Sequence, residues 1–200
     1  MNTSHADRLL ELVERKGILR PRDLEPHHIP RIYLNRLTKR GLLRQVGRGL
    51  YMSVTAEPTE HHSLAEACKR VPQGVVCLLS ALRFHDLTTQ LPYEVWMAIP
   101  GTTRRPTVRR PALRFHRFSG QALTDGIAVH SVEGVQVKVY HPAKTVADCF
   151  KFRNKIGLDI AIEALKDGIL QRKVTPDELW RYAVSCRMTQ VMQPYIEALV

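Results

Sequence analysis

At 200 residues, with 44% hydrophobic content and a net charge of +11, the chain has room for one large domain or two small ones. So large a cationic excess is unusual for a soluble enzyme and points first to a polyanionic partner. A membrane is set aside: there is no basic amphipathic helix with bulky apolar anchors and no apolar run near the ~18 residues a span requires.

Residues 1–17 mix acids and bases without a continuous apolar segment, so no secretory signal is read there. Ser4 and Asp7 form a helix start signal, Ala6, Leu9, Leu10 and Val13 recur at helical spacing, and Gly17 closes the run. A helix is expected over 4–16, followed by a short strand at Ile18 and Leu19. Pro21 suits the first turn of a second helix at 22–25; Pro26 stops it and His27-His28 makes the turn. Pro30 then starts a third helix that runs to about Arg40 and ends at Gly41. Leu42–Val46 and Leu50–Val54 are strand-like, joined by a cationic tip, Gly47-Arg48-Gly49. This order is that of a winged helix-turn-helix, which lays one helix in the DNA major groove and rests a β-wing on the backbone.

The polar segment 55–62 carries a proline, so the spacing predicts a winged domain over 1–56 and an α+β domain over 57–200. In the second part, 63–70 and 75–86 read as helices, Tyr93–Ile99 and Leu113–Phe118 as strands, and 100–111 as a proline-punctuated basic loop. Ile127–Val132 and Val135–Tyr140 form a hairpin turning at Glu133-Gly134. Helices follow at roughly 142–152, 158–170, 176–186 and 188–199. The fold class is therefore α+β: a winged helix-turn-helix, then a small mixed sheet with a helical C-terminal part.

Residues 18–53 hold eight bases (Arg20, Arg22, Arg31, Arg36, Lys39, Arg40, Arg44, Arg48) against Asp23 and Glu25, a net of +6. At helical pitch Arg31, Asn35, Thr38 and Lys39 share one face of the third helix, opposite Tyr33, Leu34 and Leu37. Arginine can grip guanine and asparagine adenine, so Arg31 and Asn35 are the expected base readers. Lys39, Arg40 and Arg44 are expected on phosphates, Arg48 on a flanking phosphate or in the minor groove, and Arg36 and Thr38 are counted with them as DNA-binding residues. Arg104, Arg105, Arg109 and Arg110, with Arg114 and Arg117 beyond, form a second cluster suited to phosphate or to an acidic protein.

No metal or cofactor is expected. His61-His62 with Cys68, and His85-Asp86 with Cys77, lack zinc spacing, and Ser80 and His85 are misaligned for a nucleophile–base pair. The four cysteines (Cys68, Cys77, Cys149, Cys186) are scattered and suit buried thiols in a reducing cytoplasm.

The segment GILRPRDLEPHHIPRIYLNRLTKRGLLRQVGRGLY, with LSALRFHDLTTQLPYEVWMAIP and VKVYHPAKTVADCFKFRNKIGLDIAIEALKDGI further on, resembles the AbiEi family of antitoxins, the regulator half of abortive-infection (type IV) toxin–antitoxin pairs. The resemblance implies a cytoplasmic, non-enzymatic repressor of its own operon that binds repeated promoter sites in double-stranded DNA. It also implies a functional partner, a nucleotidyltransferase-class toxin, countered without a stable complex. Ser80, His85, Thr145 and Asp148 in the second part read as structural. Two rivals remain at this level: a nuclease targeted by its winged helix, for which Glu94 would supply a carboxylate, and a repressor with a ligand-sensing second domain.

Overall fold

A computed structural model describes residues 4–108 and 110–199. The chain divides into two compact units. The first runs to Arg70 and takes in Ser131–Gln136; the second comprises Val71–His130 and the chain from Val137 on. The first unit thus extends past residue 56, where the polar 55–62 segment suggested a boundary, because helix α3 (His62–Arg70) packs with it.

In the first unit, α1 (His5–Lys16) starts at a capping box in which the Ser4 hydroxyl accepts from the Asp7 amide, and it buries Leu9, Leu12 and Val13. Gly17, at φ +62°, ends it. Leu19 then pairs with Tyr51 through two backbone bonds of 2.8 and 2.9 Å. The expected short α-helix at 22–25 is instead a 3-10 helix over Pro21–His27 that continues through Pro26. A proline lacks the amide that an α-helical bond needs, so the tighter winding carries the segment until His28 turns it. Helix α2 (Ile32–Lys39) presses Leu34 and Leu37 onto Leu9, Leu12, Val13, Leu24 and Leu43. Strands β1 (Leu43–Gly47) and β2 (Leu50–Ser53) form an antiparallel hairpin turning at Arg48-Gly49, where Gly49 supplies φ +67°.

The second unit carries β3 (Val75–Val76), α4 (Leu78–Phe84), β4 (Val95–Pro100), β5 (Leu113–Phe118) and α5 (Gln121–Thr124). A hairpin follows, β6 (Ile127–Val132) and β7 (Val135–Tyr140), whose tip belongs to the first unit. Among the described residues the strands order as β5-β4-β3-β7-β6. The expected helix over 75–86 begins later because Val75 and Val76 are a two-residue strand, paired antiparallel to β4 and parallel to β7. So short an apolar run has no periodicity of its own; its neighbours decide its state. Strands β4 and β5 are parallel, with the basic loop as their connection.

Helices α6 (Pro142–Lys151), α7 (Arg153–Ile156), α8 (Leu158–Leu170), α9 (Pro176–Cys186) and α10 (Thr189–Glu197) complete this unit. Helix α6 is its hub, in contact with α4, α8, α9 and α10, and every residue from Ala143 to Phe150 is buried. A helix buried all round must satisfy its polar groups internally. Lys144 and Asp148, one turn apart, do so at 2.6 Å, with the ammonium also over the Tyr140 and Phe118 rings. No helix of the described residues is long and apolar enough to cross a membrane.

Candidate nucleic-acid interface

Burial of Leu34 and Leu37 fixes which side of α2 faces solvent. The exposed side carries Ile32, Asn35, Arg36 and Lys39, with Arg40 at its C-terminal end. This face is turned by about 60° from the one expected, because Tyr33 is only half-buried and the two leucines alone set the inward direction. Thr38 falls off it: half-buried, its hydroxyl donates to the Leu34 carbonyl at 2.8 Å. Ile32, which sequence reasoning passed over, joins it at 54% exposure. Its signal was the 3.6-residue period counted from the two leucines.

Arg31 is the residue preceding α2, and its guanidinium pairs with Glu25, both side chains well exposed. An exposed pair of this kind is worth less than about 1 kcal/mol, so the arginine can exchange its partner at little cost. Arg36 lies 5.2 Å from the Tyr33 ring centroid. Among the described residues no carboxylate pairs with Arg36, Lys39, Arg40 or Arg48.

Arg48 is exposed at the hairpin tip, with Gly49 beside it. Arg44, expected on a phosphate, is half-buried and donates to the Ala56 carbonyl at 2.9 Å, tying β1 to the segment after β2. Gly47 lies against the Glu66–Arg70 pair of α3, so closely that a Cβ there would collide with both side chains. Asp23 fixes the 3-10 helix: it accepts from the Arg20 amide at 2.8 Å and from Lys69 at 2.7 Å. Burial pushes the Asp23 carboxyl up, but the Lys69 bond, the Arg20 amide and the two nearby cations outweigh it and hold it below the usual carboxylate range. Asp23 is thus committed to Arg20 and Lys69, and Glu66 to Arg70, while Arg36, Lys39 and Arg40 stand exposed along α2 and at its end.

In the second unit Arg104, Arg105 and Arg110 are exposed on the β4–β5 connection, while Arg109 lies outside the described residues. Arg114 does not extend freely: it pairs with Glu94 at 2.9 Å and lies 4.7 Å over the Trp96 ring. Glu94, the carboxylate on which a nuclease reading would depend, is thereby committed to an arginine just ahead of β4. No group of three or more histidines, cysteines, aspartates or glutamates among the described residues could hold a metal ion.

The polar residues of the second unit serve its packing. Ser80 accepts from the Trp96 amide at 2.9 Å, and Thr145 donates to the Tyr140 carbonyl at 3.1 Å. His85 Nε2 reaches the same carbonyl at 2.7 Å, and burial lowers its pKa to about 4, so it stands neutral as the donor. All four cysteines are buried and free.

Residues 7–54 match a family model described as transcriptional regulator, AbiEi antitoxin, the family that the sequence itself resembles. No curated protein matches the chain. Among solved structures the chain is similar to the RV2827C protein from Mycobacterium tuberculosis, with 14% identity and a TM-score of 0.61 over 98% of this chain and 80% of that one. At that identity the likeness shows a shared fold.

Proposed function

We propose that this protein is a DNA-binding antitoxin and transcriptional autorepressor of a type IV toxin–antitoxin operon, acting without catalysis. The observation that carries the reading is the exposed set Arg36, Lys39 and Arg40 on α2 and Arg48 at the hairpin tip, none paired with a carboxylate among the described residues, within the stretch that matches the regulator family. The first unit then works as a winged helix-turn-helix, with α2 in the major groove and the hairpin as its wing. Asn35 and Arg31 read base edges, and Ile32 offers an apolar contact to a thymine methyl. Arg36, Lys39, Arg40 and Arg48 hold phosphates, and Arg104, Arg105 and Arg110 of the second unit add to the phosphate contacts. Thr38 and Arg44 keep the helix and wing in shape.

The counterpart, on the family resemblance, is a nucleotidyltransferase-class toxin that the second unit counters without a stable complex. The test has two arms. Gel shifts of the upstream promoter at physiological salt should show retardation that disappears in an Asn35→Ala/Arg48→Ala double variant. Co-expression with the product of the adjacent gene should restore growth, and that rescue should survive the same double variant. Absence of a promoter shift in wild type would overturn the reading.

A further inference from the structure

The second unit contains a cavity of about 670 Å³ at the junction of β5, α5, α6 and α9. We infer that it is a binding site for a small phosphorylated molecule carrying at least two anionic groups. Four cations line it: Arg117 from β5, Lys151 from the end of α6, Arg181 from α9 and Arg187 just beyond. They come from three separate parts of the chain, so folding brings them together where no sequence run does. Like charges around a concavity repel one another, and a bound anion removes that cost.

The lining offers no matching negative charge. Its one carboxylate, Asp148, is 1% exposed and bonded at 2.6 Å to Lys144 beneath it. Neutral donors are present in Ser119 and Gln121. Arginines favour phosphate because the planar guanidinium meets two oxygens at once, and four cations exceed what a single phosphate group neutralises. The volume falls in the range of sites that hold organic ligands and is too large for a lone inorganic ion. A free phosphorylated metabolite is therefore the ligand, in preference to the backbone phosphates of a duplex. This site is independent of the α2 interface and stands or falls apart from it.

Titration calorimetry on the full chain, with pyrophosphate and with ADP as probes, tests the inference. Saturable binding of one probe molecule per chain is expected, weakened by about tenfold or more in a Lys151→Gln/Arg181→Gln variant. Promoter affinity of that variant should be unchanged. Arg187→Gln, at an exposed position past α9, repeats the measurement should the double variant melt below wild type. Three results overturn the inference. These are no saturation by either probe on folded wild type, equal binding by the variants, or equal heat from sulfate at matched ionic strength. Competition between pyrophosphate and the promoter duplex, with the variants losing both, would assign the cavity to DNA phosphates and overturn it as well.

Discussion

Glu133 and His62 join the tip of a hairpin to the start of α3 within the first unit, the carboxylate lying 2.7 Å from His62 Nδ1. Glu133 also accepts from the Thr59 amide at 2.7 Å and the Thr59 hydroxyl at 2.9 Å. The residue holds φ +49°, which a β-carbon disfavours by about 1–2 kcal/mol, and these bonds keep it there. Gly134 follows at φ +72°, pressed on the backbone of Lys16 and Gly17. Glu133→Ala should therefore destabilise the protein by about 2–3 kcal/mol in urea denaturation, and Glu133→Gln by less.

The same residue sets an acid limb. Burial raises the Glu133 carboxyl, but the His62 bond and the two Thr59 donors outweigh it, and its pKa falls below the ordinary value. A carboxyl depressed in the fold contributes stability above its unfolded pKa, near about 4.3, and that contribution drains away as pH drops through the folded value. Denaturation midpoints of wild type should fall more steeply below about pH 4.5 than those of Glu133→Gln. Parallel curves would remove the assignment.

On DNA, each phosphate contact contributes roughly one unit to the slope of log affinity against log salt. Lys39→Ala and Arg48→Ala should each flatten that slope by about 1 while leaving sequence preference intact. Asn35→Ala should instead relax preference at one base pair, by about 1–3 kcal/mol of discrimination. Thr38→Val should change neither, since its hydroxyl serves the Leu34 carbonyl. Fluorescence anisotropy across a salt series separates these outcomes, and a Thr38→Val variant with lost specificity would return that residue to the interface.

Much of this was legible in the sequence because local rules agreed with the fold. Ser4, Asp7 and Gly17 marked α1, the glycines flanking Arg48 marked the hairpin tip, and Glu133-Gly134 marked the second hairpin. Some failures were local, as at Thr38, whose hydroxyl bonds the Leu34 carbonyl, and at Pro26, which the 3-10 helix passes through; others came from partners distant in the chain. Val75 and Val76 are a strand only because β4 and β7 flank them. Arg44 and Arg114 resembled the solvent-facing arginines until Ala56 and Glu94 came within reach. The cavity on Arg117, Lys151, Arg181 and Arg187 leaves no trace in a linear reading.

Two histidines should make the protein sensitive to mild acid. Burial lowers His85 and His116 to about 4, from an unfolded value near about 6.5. The unfolded chain therefore binds more protons between these values, so stability is full above about pH 6.5 and is lost as pH falls toward 4. His116→Phe, which keeps the stack on Trp96, should shallow that decline in thermal melts between pH 7 and 5. A decline as steep as in wild type would show that His116 titrates normally.

The Lys144–Asp148 pair puts two charges in the interior of the second unit, since both side chains lie in the buried stretch of α6 from Ala143 to Phe150. Cys186 adds a sulfur donor 3.4 Å from the second oxygen of Asp148, and its thiol is pushed up to about 12, by burial first and the carboxylate next. Burial raises Asp148 despite Lys144, so removing the ammonium leaves a carboxyl that must take up a proton or remain as an uncompensated charge. Lys144→Met should cost about 3–5 kcal/mol, most of it at neutral pH and less in acid, where protonation relieves the charge. Lys144→Met combined with Asp148→Leu should recover most of that loss, because apolar side chains of similar volume refill the space without desolvating charge. A double variant no more stable than Lys144→Met alone would show that the pair holds α6 in place through its geometry, with charge balance secondary.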